Sequence, residues 1–364
     1  MSVLHDEAQR AITEETRRVL AARMDLKRQL ELLDSVGEWD EAFWQTAVEQ
    51  GWTALAVPEE YGGLGLGLIE LGLVAQEAGR AIAGAPFLTG GHGTVRALLA
   101  TDDAAARAHW LPRLAAGEIR CAFAMPQGGR AFQADASVTF TEGRLNGTLS
   151  GVVGALAADI AVSCVSGETG SALVLFELAD VDRRPIASFD NGRLFADLVL
   201  ADTPATLLAQ GEKADAIAME AIAQMAVLAA HEQVGGAEAL MFAARDYALT
   251  RKAFGQPIGA FQSVKHRIAE LYGLVEIARA NCFHAATREG EADFLEAAAC
   301  ARLTATEAYD TAARDAVQIH GGAGVTWDGG LHLHMRRARS LAIELGHALL
   351  WEDLLATELT GVMP

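Results

Sequence analysis

The hydrophobic period of the chain changes twice, and this double change restricts the fold more than any other feature. From Asp6 to about Gly117 apolar residues recur at helical spacing, as in ELLDSVGEWDEAFWQTAVEQGW and LIELGLVAQEAGRAIAGAP. From about Ile119 the texture becomes CAFAM, ASVTF, DIAVSCV, SALVLFEL and RLFADLVL, short β-branched or aromatic runs separated by TEGR, SGETGS and FDNG. Val138 and Phe140 alternate with polar neighbours, as in strands with one buried face. After Thr203 and Pro204 the helical period returns: Phe261, Val264, Ile268, Leu271, Tyr272 and Val275 follow the spacing of one buried helix face. Further helices are expected over 292–317 and 333–359. The order predicts an α+β chain with a helical domain over 1–118, a small β domain over 119–208 and a second helical domain over 209–364.

Composition narrows the partners. With 29 Lys+Arg against 48 Asp+Glu the formal charge is -19, which repels a phosphate backbone and argues against nucleic acid. Cys121, Cys164, Cys282 and Cys300 stand far apart with no CxxC pair, as expected of scattered thiols in a reducing compartment, so a cytoplasmic location is expected. The start, MSVLHDEAQRAITEETRR, is acidic where a signal peptide is basic and apolar. The most apolar helical stretch, 214–230, is interrupted by Asp215, Glu220 and Gln224 and reads as a core helix, with no membrane insertion expected.

Three segments break the helical texture with glycine. VPEEYGGLGLG, from Val57 to Gly67, reads as a connector, with a phosphate-binding loop as the alternative. RKAFGQPIGAFQSVKHR, from Arg251 to Arg267, has Gly255, Pro257 and Gly259 bracketed by cations. One reading makes it a helix connector whose Arg251 and Lys252 complement a helix C-terminus. The other has Arg251 forking onto a diphosphate, Phe254 and Phe261 covering an aromatic ring and Gln262 donating a hydrogen bond. QIHGGAGVTW, from Gln318 to Trp327, stops a helix on Gly321, Gly322 and Gly324, where backbone bends tightly or approaches something closely.

The collinear series VPEEYGGLGLG, AFAM, LNGT, RKAFGQPIGAFQ, DAVQIHGGAGVTW and MRRARS resembles acyl-CoA dehydrogenases over nearly the whole chain. The resemblance implies a helical N-terminal domain, a small β-barrel or sandwich in the middle and a C-terminal four-helix bundle, with FAD lying between subunits. It also implies that Arg251, Phe254, Phe261, Gln262, Gln318, Gly321 and Gly322 contact the ADP portion of a flavin whose ring sits on a neighbouring subunit. Backbone without side chains can approach a diphosphate and offer N–H donors, so the glycines suit that role.

The chain departs from the family where the chemistry occurs. The family needs a carboxylate to remove the acyl α-proton while the β-hydrogen leaves as hydride to the flavin. That base lies in the last long helix just before a glycine, or in some members on an earlier helix; the matching positions are Leu345 and Met225. Glu344 precedes Leu345 by one residue, about 100° around a continuous helix. Relatives read near AFALTEPxAGSD, whereas this chain has Pro126 at the threonine, and Gly151 stands where LNGTxxW carries a flavin-packing tryptophan. These losses imply a chain that lends ADP-side contacts to a related subunit carrying the catalytic base. The expected assembly is an α2β2 acyl-CoA dehydrogenase acting on a bulky, steroid-derived acyl-CoA in lipid metabolism.

Two alternatives stand beside this reading. One is a self-sufficient homo-oligomer with Glu344 as base, oriented by His347 three residues on. The other is a structural partner that holds no flavin. His332 and His334 are two residues apart and face different sides of a helix, so no metal site is expected. Arg336, Arg337 and Arg339 are expected to pair with acidic residues or to line a route for coenzyme A phosphates. Glu232 is expected beside a close helix contact made through Gly235 and Gly236.

Overall fold

A computed structural model describes residues 6–23, 25–83, 87–125 and 134–361. Its helices and strands follow the order read from the hydrophobic period. The first helical region holds α1 (Glu7–Arg23), α2 (Leu26–Asp34), α3 (Glu41–Glu49), α4 (Leu68–Arg80), α5 (Phe87–Ala100) and α6 (Ala104–Ala115). Asp40 caps α3 by accepting from the Phe43 amide, and Asp103 caps α6 by accepting from the amides of Ala105 and Ala106.

The middle region is a sheet of β1 (Cys121–Ala124), β2 (Asp135–Thr141), β3 (Arg144–Val152), β4 (Ile160–Gly167), β5 (Gly170–Glu177), β6 (Asp182–Pro185), β7 (Ala196–Pro204) and β8 (Thr206–Gln210). The strands run in the order β6-β7-β3-β2-β4-β5-β8, and β1 pairs in parallel with β4. Central β4 is buried from Ile160 to Val165, which explains its unbroken apolar run. Terminal β6 reads DRRP, with charge and a proline where no further strand among the described residues pairs in the ladder.

The last region contains α7 (Glu212–Thr250), the two-stranded β9 (Lys252–Ala253) and β10 (Gln256–Pro257), α8 (Gln262–Thr287), α9 (Phe294–His320), α10 (Leu331–Ile343) and α11 (Ala348–Thr360). The single helix expected over 333–359 is therefore two helices, broken between Ile343 and Ala348. No helix is long and apolar enough to cross a membrane among the described residues.

The chain divides into two compact units. Met1–Leu30, Gly72–Ala83 and Ala226–Pro364 form one; Glu31–Leu71 and Gly84–Met225, which include the sheet, form the other. In the first, α4 crosses α7 at backbone contact. A Cβ on Gly79 would lie 1.9 Å from the Glu232 carbonyl oxygen, and one on Gly235 would lie 1.8 Å from that of Gln76. Gly236 lies against the Tyr309 ring in the same way. In the second unit, VPEEYGGLGLG folds on itself: the amides of Leu64, Gly65 and Leu66 donate to the carbonyls of Ala54, Val57 and Leu55, and Gly63 donates to Pro58. Donors used internally are not available to a phosphate, so the segment is a connector.

Two buried histidines make the fold acid-sensitive. His92 in the sheet-bearing unit is held down at about 4 by burial, against a hydrogen bond to Gln224 that favours its charged form; His334 in the other unit is held down at about 3, again by burial. Both start from an ordinary value of 6.5, so the unfolded chain binds protons more readily below that pH. Their contribution is complete above about pH 6.5 and is lost as pH falls toward about 4 and 3. The melting temperature is therefore expected to fall steadily below about pH 6.5, and His92→Gln is expected to flatten part of that slope. An unchanged slope in the variant would show that the ionisable groups elsewhere account for it.

Candidate functional site

The end of α7 sets the first part of the site. The Arg251 amide donates to the Tyr247 carbonyl at 2.8 Å, and the Ile258 amide donates to the Arg251 carbonyl at 2.8 Å, closing the short β9–β10 hairpin. Phe254 and Gly255 form its tip with φ of +52° and +82°. Positive φ at both central residues is the turn that matches strand twist, but it suits Asn, Asp or Gly and strains phenylalanine by about 1–3 kcal/mol. Phe254 is nevertheless 96 % exposed, its ring edge-on to Phe261 with centroids 6.2 Å apart. Among the described residues the Arg251 guanidinium has neither an ion pair nor a hydrogen bond, and Arg251 and Lys252 are both exposed. A strained, bare aromatic beside an uncommitted cation is a contact surface rather than a piece of core.

The QIHGGAGVTW segment supplies the second part. Helix α9 ends at His320, and Gly321 leaves it at φ +59°, ψ -131°, a conformation essentially confined to glycine. A Cβ on Gly321 or Gly322 would meet nothing within 4 Å, whereas one on Gly324 would come 2.7 Å from the Val317 carbonyl oxygen. Gly324 is thus needed by the chain's own packing, and Gly321 and Gly322 present open backbone.

Two contacts join these parts. His320 donates from Nδ1 to the Ala316 carbonyl at 2.7 Å and stacks on Tyr247 at 4.3 Å. Arg267 near the start of α8 pairs with Asp315 in the last turns of α9 at 2.9 Å. Arg251, Phe254, Phe261, Gln262, Gln318, Gly321 and Gly322 are therefore gathered at one end of the helices of this unit. Gln262 and Gln318 are both exposed there. Arg251, Lys252 and Lys265 make this end locally cationic on a chain of net charge -19.

Glu344 lies elsewhere, at the corner between α10 and α11. Its backbone leaves the helix at φ -61°, ψ 140°, and Leu345 and Gly346 follow at φ +58° and +94°. Arg302 donates to the carbonyls of Leu341 and Glu344, and the Trp351 indole donates to the Leu345 carbonyl at 2.9 Å. Burial pushes the pKa of Arg302 down to about 10, against the charge of Glu344, which is itself buried. His347 is exposed and begins α11 as its N-cap residue. The two do not share a helix face, so the expected Glu344–His347 pairing is corrected: three-residue spacing brings side chains together only on a continuous helix, and the helix breaks between them.

The sequence reading missed the polar interior around this corner. Glu232 on α7 meets Arg337 on α10 at 2.8 Å, Arg302 donates to Gln233 at 2.6 Å, and Tyr309 bonds His334 at 2.8 Å. The available signal was HEQ at 231–233, three polar residues inside a helix whose neighbours are apolar. Of the three arginines left open between ion pairs and a phosphate route, Arg337 takes Glu232, Arg339 takes Asp310, and Arg336 lies over Trp327.

Comparison with known proteins decides the family. Residues 6–118 match the acyl-CoA dehydrogenase N-terminal domain and residues 216–355 the acyl-CoA dehydrogenase C-terminal domain. Acyl-CoA dehydrogenase IpdE2 of Mycobacterium tuberculosis is 35% identical over 311 residues, covering 84% of this chain and 82% of that protein. The chain belongs to the acyl-CoA dehydrogenase family. Its fold is the acyl-CoA dehydrogenase fold, with an N-terminal helical domain, a central β-sheet domain and a C-terminal helical domain. A chain of the ChsE4–ChsE5 complex from Mycobacterium tuberculosis superposes with a TM-score of 0.89 at 24% identity, each chain covered over 100%. A chain from a variant of the Tcur3481–Tcur3483 steroid acyl-CoA dehydrogenase gives 0.85 at 25% identity, with 98% of each chain covered.

Acyl-CoA dehydrogenases use FAD, and the residues at the end of α7 and α9 fit its ADP portion: an uncommitted guanidinium, an exposed ring and open glycine backbone. The positions matched to the ring side and the base do not offer the corresponding groups. Leu345 is buried in the strained corner, and Met225 is buried so tightly that a Cβ on Gly93 would lie 2.3 Å from its sulfur. Gly151 sits at φ +62°, where a tryptophan would be strained, and its amide donates to Asp197 at 2.8 Å. Pro126 lies outside the described residues.

Proposed function

We propose that this chain is the flavin-supporting subunit of a two-chain acyl-CoA dehydrogenase. It presents Arg251, Phe254, Phe261, Gln262, Gln318, Gly321 and Gly322 to the ADP portion of a flavin whose ring, catalytic base and acyl pocket belong to a related chain. The observation that carries the reading is the asymmetry: the α7–α9 end is bare and unsatisfied by its own chain, while Leu345, Met225 and Gly151 lack the groups needed at the flavin ring. A flavin held by these residues would supply the two-electron acceptor for α,β-desaturation of an acyl-CoA, with the α-proton taken by a carboxylate of the related chain. In this reading Arg251 balances diphosphate charge, and the exposed glycine backbone admits the diphosphate without collision.

The substrate class is a bulky, steroid-derived acyl-CoA, and the assembly is α2β2 with fewer flavins than chains. The likeness to a chain of the Tcur3481–Tcur3483 steroid enzyme supports the steroid substrate class and an assembly of two different chains; the flavin count follows from the missing ring-side groups on this chain. Native mass spectrometry tests the reading. The chain is expressed alone and then with an acyl-CoA dehydrogenase chain encoded beside its gene, and chains and flavins are counted. The expected result is a flavin-poor chain that acquires flavin only in a mixed assembly, at one per pair of chains. A homotetramer with one flavin per chain would overturn it and return Glu344 to consideration as a base.

A further inference from the structure

We propose that Trp327 is a stacking platform for the adenine ring of an ADP-containing nucleotide, an inference that rests on the reading above of the α7–α9 end as a nucleotide site. Trp327 opens a short turn at the end of QIHGGAGVTW. The turn is pinned, because the Thr326 hydroxyl donates to the Ala323 carbonyl at 2.8 Å and the Gly330 amide donates to the Trp327 carbonyl at 3.2 Å. Ala323 follows Gly321 and Gly322 directly, so the backbone that carries Trp327 folds back onto the segment that presents the open glycines.

The indole is held from the protein side. The His332 imidazole stacks on it at 4.4 Å and 25°, and the Arg336 guanidinium, one helical turn further along α10, lies 5.9 Å from its centroid. The ring still leaves 46 % of the residue exposed, and neighbouring Val325 is 75 % exposed. A large aromatic oriented by a stacked imidazole and a cation, yet left half in solvent, is a preformed planar surface. A purine meets such a surface without sequence-like hydrogen bonding, since every base has a π-face and stacks on indole. The attached diphosphate then has open backbone at Gly321 and Gly322 and the uncommitted Arg251 at the same end of the unit.

Two nucleotides in acyl-CoA dehydrogenation carry ADP, and their ADP moieties differ in one group: that of coenzyme A bears a 3′-phosphate and that of FAD does not. The shared chemistry is an adenine on a diphosphate, and the probes are ADP and 3′-phospho-ADP. Titration of the full chain, alone and in the mixed assembly, is followed by calorimetry for the native protein, Trp327→Ala, Trp327→Phe and Arg251→Ala. Stacking on an aromatic side chain predicts a loss of roughly 10- to 100-fold in affinity for Trp327→Ala and retention of most of it in Trp327→Phe. Stronger binding of ADP assigns the site to the flavin nucleotide, and stronger binding of 3′-phospho-ADP assigns it to coenzyme A; either supports the platform.

The ways of failing are separable. If Arg251→Ala weakens binding and Trp327→Ala leaves it unchanged, the nucleotide end stands and the platform falls. If no probe binds in any assembly, both fall. If Trp327→Ala alters the mass of the assembly and spares nucleotide affinity, the indole packs between chains and the platform is again overturned. Because Trp327 is half exposed, its variants are expected to fold, which an unchanged melting temperature checks.

Discussion

Replacing Arg337 with methionine is expected to lower the unfolding free energy by about 3–5 kcal/mol, the largest stability effect anticipated for a single change in this chain. Arg337 donates to Glu232 at 2.8 Å, and the two side chains are only 4% and 9% exposed. The variant removes the directly hydrogen-bonded cation from a buried carboxylate, which costs far more than the pair gains relative to a well-packed apolar substitute. Replacing both Glu232 and Arg337 with methionine is therefore expected to recover most of the loss. Denaturant unfolding of the two single variants and the double variant measures the coupling directly. Single-variant losses below about 1 kcal/mol would show that water reaches the pair and that it behaves as a surface ion pair.

Arg251→Ala is expected to have the largest functional effect: a loss of roughly tenfold or more in flavin retention by the mixed assembly, with stability changed by less than about 0.5 kcal/mol. The two parts of the expectation have different origins. Arg251 is exposed and uncommitted in its own chain, so its removal breaks nothing in the fold. A guanidinium on a diphosphate makes paired, charge-assisted hydrogen bonds, and those vanish in the variant. Arg251→Lys is expected to restore only part, since an ammonium supplies charge without the planar fork. The readout is flavin absorbance per chain after gel filtration. Unchanged flavin in Arg251→Ala would remove the main support for a shared site.

The sequence and the structure agree where the interaction is local or strongly periodic. The change of period near Ile119 marks the strands because strand and helix place side chains at different repeats, whatever packs around them; the expected return to helix after Pro204 comes later, since β8 (Thr206–Gln210) first adds to the sheet beside β5 and α7 begins at Glu212. The glycines of α7 were legible for a similar reason: Gly235 and Gly236 in a helix otherwise rich in good formers mean close approach, and Gln76 and Tyr309 are what approach. The candidate residues at the end of α7 and α9 were singled out through an extended motif series, and the fold places them at one end of one unit. Composition alone would have left Arg251 and Lys252 as a helix C-terminal complement.

The corner at Glu344 was not legible. MRRARSLAIELG carries a helical pattern through to Gly346, with no proline to break it, so a continuous helix was the reasonable expectation. The break is maintained by groups distant in sequence: Arg302 on α9 donates to the carbonyls of Leu341 and Glu344, and Trp351 on α11 donates to that of Leu345. Satisfied carbonyls allow Leu345 to hold a left-handed backbone that its own side chain disfavours. The same holds for Glu232, whose place beside a glycine contact was expected but whose partner on α10 was not. Local spacing along the chain determined the order of helices and strands and marked Gly235 and Gly236 as a point of close helix approach. Which buried charges pair, where α10 stops and which glycines stay open were decided only by tertiary structure, because each depends on donors and surfaces supplied from helices far apart in the sequence.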